Sequence, residues 1–308
     1  MIQACLLAAI GTLNTAIINP AYGPLAKEFG ISKVRASYQT TVVIALNGVG
    51  PFLWVPLANV YGRRPVYLFT TLLGFGSVLG SAYSKNFSQL LVARVFNGLW
   101  PAAMALGPGT VVDLFFYHQR GRAMGLFTVI LTTGAHLAPI IGGLLGQYLG
   151  WRWTFKFAAI LDGVMFVVIL LGMPETLYIR DQNRLTRTTS EREVAFTPKT
   201  YVSRLKLYSH FPQLKLKWNQ FVIPSLKMAK YPSVLFPALY YGAQYGFASI
   251  LPAVTVASIF SAAFHWNTLE IGLAYGGALS IGGNFISPYL LLQPLDIFQV
   301  SSANLRLV

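Results

Sequence analysis

The chain has 308 residues, of which 55% are hydrophobic and only 10% charged. A soluble domain carries about 25% charged residues, so the composition excludes an ordinary soluble globular protein. The formal charge of +14 does not mark a nucleic-acid partner, because 11 of the 23 Lys and Arg residues fall in one polar segment, 174–232. Cys5 is the only cysteine, which excludes an intramolecular disulfide.

Residues 1–26 are uncharged and lack the basic start of a secretory signal, so they read as a first spanning helix. A helix needs roughly 20 mostly apolar residues to cross a bilayer. Runs of that kind predict spans at about 4–26, 37–59, 66–84, 88–113, 123–148, 153–173, 234–262 and 270–291. The fold class is therefore all-α: a polytopic membrane helix bundle of about eight spans. The predicted organisation is a six-helix half (1–173), a basic central loop (174–232), two spans of a second half (233–293) and a divergent tail (294–308).

Loop charge orients the bundle. The turn after span 2, the turn after span 4 and the central loop together hold 15 Lys and Arg, against 5 in the opposite loops. Cytoplasmic loops collect Lys and Arg, so the even-numbered loops and both termini are expected in the cytoplasm. Within the central loop, residues 196–230 interleave Phe196, Tyr201, Phe211 and Trp218 with lysines. That mixture fits either a segment lying on anionic lipid headgroups or a solvated linker.

Four short patterns follow one another along these elements. Val55-Pro56-Leu57-Ala58-Asn59-Val60-Tyr61-Gly62-Arg63-Arg64 resembles the loop 2–3 signature of the major facilitator superfamily, roughly G-x-L-A-D-R-x-G-R-R, with Val55, Asn59 and Val60 departing from it. Arg94-Val95-Phe96-Asn97-Gly98 resembles the family's buried span 4 arginine element, and Asp113 followed by Arg120-Gly121-Arg122 its loop 4–5 element. Residues Gly134 to Gly143, with His136, Pro139 and Gly142, resemble the span 5 antiporter motif G-x-x-x-G-P-x-x-G-G, Ala138 replacing one glycine. Trp151-Arg152-Trp153 and Pro174-Glu175-Thr176 bracket span 6 as in fungal drug:proton antiporters. The resemblance implies twelve spans in two six-helix halves, so the sequence reads as truncated after span 8.

Several residues are candidates for a substrate and proton pathway. Arg94 lies inside span 4, where a charge costs about 2.5–3.5 kcal/mol on insertion scales; it either locks helices together or senses a substrate or neighbouring carboxylate. Asp162 lies near the middle of span 6. A buried carboxylate resists ionisation and can take up and release a proton, the physical requirement of coupling; the alternative is a structural partner for Lys156. His136 is either a proton relay or a hydrogen-bonded packing residue. Asn14, Asn19, Asn47, Tyr240, Tyr241, Gln244, Tyr245 and Asn284 place polar groups at membrane depth, as a cavity or as interhelical hydrogen bonds.

The antiporter residues Gly134, Pro139, Gly142 and Gly143 suit close packing at a rocking interface. The resemblance places Asn59, Gly62, Arg63, Arg64, Asp113, Arg120 and Arg122 in a cytoplasmic charge cluster that gates the cycle; a plain positive-inside bias explains the arginines as well. No HExxH, CxxC, GxxxxGK[ST] or Gly-x-Ser-x-Gly pattern occurs, so no enzyme reading stands, and no cofactor or metal is expected. The expected function is transport of small organic molecules, as efflux against protons by alternating access. The alternatives are nutrient uptake on the same fold, or a truncated, non-transporting or regulatory membrane protein. The plasma membrane is expected, the vacuolar membrane being the alternative.

Overall fold

A computed structural model describes residues 2–176, 227–263 and 265–275. All the regular structure among them is helical. Six segments are long and apolar enough to cross a membrane: Ile2–Phe29, Lys33–Tyr61, Arg63–Ala82, Phe87–Leu114, Tyr117–Tyr148 and Trp151–Gly172. They agree with the first six expected spans. A seventh helical stretch runs from Pro232 to Ala263, and an eighth begins at 268 and is described to 275. The expected central loop lies largely outside the described residues, as do Asn284 and the tail.

Two spans expected as single helices are broken. Span 1 divides into α1 (Ile2–Ala16) and α2 (Tyr22–Phe29) around a 3-10 turn, Asn19–Ala21, that contains Pro20. Span 4 divides into α5 (Phe87–Leu99) and α6 (Ala102–Leu114) at Trp100-Pro101. Proline has no N–H and crowds the preceding turn. At the second break, the Leu99 carbonyl accepts the indole N–H of Trp54 at 2.6 Å. Inside a bilayer such a freed carbonyl must find a protein donor.

Spans 2, 3, 5 and 6 are continuous: α3 (Lys33–Tyr61), α4 (Arg63–Ala82), α7 (Arg120–Tyr148) and α8 (Trp151–Gly172). Pro51, Pro56 and Pro139 sit inside α3 and α7 without ending them. The Ser32 hydroxyl caps α3 by accepting from the Arg35 N–H at 3.2 Å. Gly62 joins α3 to α4 with φ +99°, a conformation that favours glycine. The seventh span comprises α9 (Pro232–Tyr245), a π turn (Gly246–Ile250) and α10 (Leu251–Ala263).

Between transmembrane helices the packing is driven by van der Waals contact and hydrogen bonds rather than by the hydrophobic effect. Large apolar side chains accordingly face outward, among them Phe69, Ile160, Val164 and Leu171. The interior forms two main clusters. One contains Trp54, Tyr67, Leu106, Phe127 and Ile169, and draws only on the first six spans. The other contains Tyr22, Leu25, Leu90, Trp151 and Phe155, and also takes Ala257, Ile271 and Tyr275 from the second half.

Candidate functional site

Polar residues spread over five helices meet between these clusters. Arg94 on α5 is completely buried. Its Nε donates to Gln39 Oε1 of α3 at 2.5 Å, and its Nη1 to the Asn14 carbonyl of α1 at 3.0 Å and to Asn97 Oδ1 at 3.1 Å. The guanidinium lies 4.5 Å from the Phe155 ring centroid on α8. Nη2 has no hydrogen-bond partner. One side chain thus ties together α1, α3, α5 and α8, which the planar, five-donor fork of arginine can do and a lysine ammonium cannot.

The chain of contacts extends in both directions. Gln39 Nε2 donates to Thr40 Oγ1 at 2.9 Å, and the Tyr22 hydroxyl lies 2.8 Å from both Thr40 Oγ1 and Asn19 Oδ1. On the other side, Asn14 Nδ2 donates to Asp162 Oδ2 at 2.8 Å. Asn14 therefore touches Arg94 through its backbone and Asp162 through its side chain. Asn14, Asn97 and Asp162, with Trp100, Thr70 and Thr71, line a cavity of about 40 Å³ at the break in span 4.

Other expected pathway residues are elsewhere. Asp162 does not pair with Lys156, whose ammonium sits over the rings of Trp153 and Tyr83. His136 bonds through Nδ1 to the Thr132 carbonyl of its own helix at 2.7 Å. Asn47 is half-buried, its Oδ1 without a partner. Tyr240, Tyr241, Gln244 and Tyr245 are exposed on α9, with Tyr241 and Tyr245 stacked at 6.1 Å between centroids. Gln39, Thr40, Tyr22 and Asn97 were missed. The signal for Asn97 was its position three residues after Arg94, one turn along the same face.

The antiporter glycines face two different partners. A Cβ on Gly134 would lie 2.8 Å from Thr12 Oγ1 and against the Ala9 carbonyl, and one on Gly142 would overlap the Ile17 carbonyl. Both contacts are with span 1. Gly143 instead faces the 268–275 helix: a Cβ there would come within 3.0 Å of Gly272 Cα and of the Thr268 carbonyl. A Cβ on Gly272 would in turn lie 2.5 Å from the Pro139 carbonyl.

A third group closes one end of the six-helix half. Arg63, nearly buried, forms an ion pair with Asp113. Arg64 Nη2 donates to the Leu170 carbonyl at 2.8 Å. The Glu175 carboxylate accepts from the backbone N–H groups of Arg63 at 3.0 Å and Arg64 at 3.2 Å, at the start of α4. A Cβ on Gly62 would stand 2.5 Å from Glu175 Oε2, so the glycine also makes room for the acid. Asn59 and Arg122 are exposed, and Arg120 bonds to the Phe115 carbonyl and covers Tyr117. Of the residues expected in the cytoplasmic charge cluster, Arg63, Arg64 and Asp113 gather at this end, and Glu175 joins them.

At the opposite end, Glu28 accepts from Trp151 Nε1 at 2.6 Å and pairs with Arg152, which also reaches the Ser84 carbonyl at 3.2 Å. The second half docks at this end. Lys33 Nζ donates to Ser261 Oγ of α10 at 2.6 Å. Every residue of α9, by contrast, is exposed.

A bundle of six apolar spans, with a buried polar network and helices of a second half packed on glycines at one end, defines an integral, multi-pass membrane protein. The chain belongs to the Major Facilitator Superfamily, whose family pattern matches residues 4–300. It is 30% identical over 285 residues to "Efflux pump FUBT" of Fusarium oxysporum, covering 88% of this chain and 46% of that protein. It is 26% identical over 292 residues to "Citrate exporter 1" of Aspergillus niger, covering 93% of this chain and 55% of that protein. The chain thus spans about half the length of the curated relatives it matches. Among solved structures, the xylose transporter XylE of E. coli in an inward-open conformation superposes with a TM-score of 0.59 at 16% identity, over 89% of this chain and 64% of that one. The human organic anion transporter MFSD10 gives 0.56 at 18% identity, over 89% and 68%. These likenesses establish the fold.

Proposed function

We propose that the protein exports small organic molecules across the plasma membrane in exchange for protons, by alternating access between its two halves. The observation that carries this reading is the contact of Pro139 and Gly143 with Gly272. Backbone meets backbone there, without intervening side chains. Two helices in such contact can pivot on each other without repacking long side chains. The antiporter motif of α7 thus supplies the bearing surface between the halves.

The loop-charge bias puts Arg63, Asp113 and Glu175 in the cytoplasm, together with the termini and the 174–232 loop, whose lysines would meet anionic headgroups. The end where Lys33 meets Ser261 then faces outward. Contact between the halves at that end corresponds to a state closed to the outside. The Arg63–Asp113 pair and Glu175 would hold the cytoplasmic ends of α4, α6 and α8 as one body during the rocking motion. Relatives named as an efflux pump and an exporter support the outward direction.

The test is retention of a fluorescent amphipathic dye, rhodamine 6G, by cells that express the chain. Export lowers retention, and Gly143→Val restores it at equal expression. Raised retention on expression would reverse the assigned direction and favour uptake. Unimpaired export by Gly143→Val would remove the pivot from the mechanism.

A further inference from the structure

We infer that Asp162 is the site where the exchanged proton binds, reached from the cavity at the Trp100-Pro101 break, and that Asn14 is the positioning residue linking its charge to Arg94. The inference deepens the proton-exchange reading and rests on it.

The cavity of about 40 Å³ holds about three waters at 10–15 Å³ each, so water can reach the carboxylate. Among the described residues Asp162 is the only ionisable side chain that lines it.

No cation touches Asp162 directly. It is 5% exposed, and its carboxylate accepts a hydrogen bond from Asn14 Nδ2. Among the described residues the ion pairs are Arg63–Asp113 and Arg152–Glu28, so Asp162 has no cation in salt-bridge contact. Arg94 on α5, stacked over Phe155 of α8, is the nearest buried cation, and it reaches the Asn14 carbonyl rather than Asp162; the other charges on the helices packed against α8 are held elsewhere. On α4, Arg63 and Arg64 are held at the far end by Asp113, Glu175 and Leu170, and Tyr67 bonds to Thr110. On α7, His136 bonds to Thr132, and Arg120 and Arg122 lie at the start of the helix. On α1, Cys5 packs in the apolar cluster, and on α8 itself Lys156 covers two rings. An ionised carboxylate buried with one neutral donor is costly. A proton delivered as hydronium through the cavity waters to a carboxylate oxygen leaves neutral water and a neutral acid and removes that cost, and returning it to water re-forms hydronium and the carboxylate charge.

Asn14 can serve both states. Its Nδ2 donates to the carboxylate, while its Oδ1 is buried with no partner. Rotating the amide by half a turn presents Oδ1 to accept from the protonated acid, and no existing bond to Oδ1 is lost. The backbone carbonyl of the same residue accepts from Arg94. A change at Asp162 is thereby felt at the guanidinium that ties four helices together.

The experiment is infrared difference spectroscopy of the full chain in lipid vesicles, recorded between alkaline and acidic buffer. The wild type is expected to show the carbonyl band of a protonated, buried carboxylic acid. Asp162→Asn deletes that band, Asp162→Glu moves it, and Asn14→Leu shifts it by removing the hydrogen bond. Absence of the band from the wild type overturns the inference. So does a band unchanged in Asp162→Glu, a variant that keeps the acid and guards against a folding defect in Asp162→Asn. The measurement needs no transport. A band lost in Asp162→Asn beside export that ignores a proton gradient would therefore count against the exchange reading and leave the site standing.

Discussion

The carbonyl of Ile17 occupies the space that a methyl group on Gly142 would need. Spans 1 and 5 meet there backbone to backbone, just where span 1 breaks before its 3-10 turn. Gly142→Ala is therefore expected to lower stability by about 1–3 kcal/mol or more, the usual cost of overpacking. Gly125→Ala, on the same helix with nothing within 4 Å of the added carbon, should be neutral or stabilising by about 0.5–1 kcal/mol. Thermal unfolding of the two variants in detergent checks the contrast; equal melting temperatures would refute the close contact.

The break in span 4 depends on a donor from span 2. Trp54→Phe keeps an aromatic ring but leaves the Leu99 carbonyl without its indole partner. A buried acceptor left unsatisfied costs about 1–3 kcal/mol. A loss of that size, also read by thermal unfolding, is expected for Trp54→Phe.

Glu175 clamps the first turn of α4 from the end of α8. Charge-assisted hydrogen bonds are roughly twice as strong as neutral ones, so Glu175→Gln should weaken the clamp and Glu175→Ala abolish it. Amide hydrogen exchange at Arg63 and Arg64, whose N–H groups the carboxylate holds, should rise modestly in the first variant and strongly in the second. Unchanged exchange in Glu175→Ala would dismiss the clamp.

The contact of Lys33 with Ser261 bridges the two halves. Cys5 is the only native thiol, so Lys33→Cys and Ser261→Cys in a Cys5→Ser background give a clean pair. A short bis-thiosulfonate reagent should join them in membranes and block dye export, with the reducing agent restoring it. Export unaffected by complete crosslinking would show that this contact does not open.

The spans were legible because an uncharged run is a one-dimensional signal, and residues 36–61 or 65–84 can be nothing else. The breaks were not. Pro51, Pro56 and Pro139 stay within helices while Pro20 and Pro101 mark breaks, and the difference lies in tertiary partners such as Trp54. Arg94 announced itself as a charge at membrane depth, but its acceptor Gln39 is 55 residues away and the Asn14–Asp162 bond joins residues 148 apart. Those pairings exist only once the helices are packed. Glu175 stood in a motif already noted, yet its role depends on the packing of α8 against α4, which sets the carboxylate beside the turn at Gly62. The expected eighth span and Asn284 lie beyond or partly beyond the described residues.

The most direct test of proton-driven export is rhodamine 6G retention in expressing and non-expressing cells at acidic external pH, with and without a protonophore. Expression should lower retention, and collapsing the proton gradient should return it to the level of cells lacking the protein. Retention that expression leaves unchanged, or that stays low once the gradient is gone, would contradict export driven by protons.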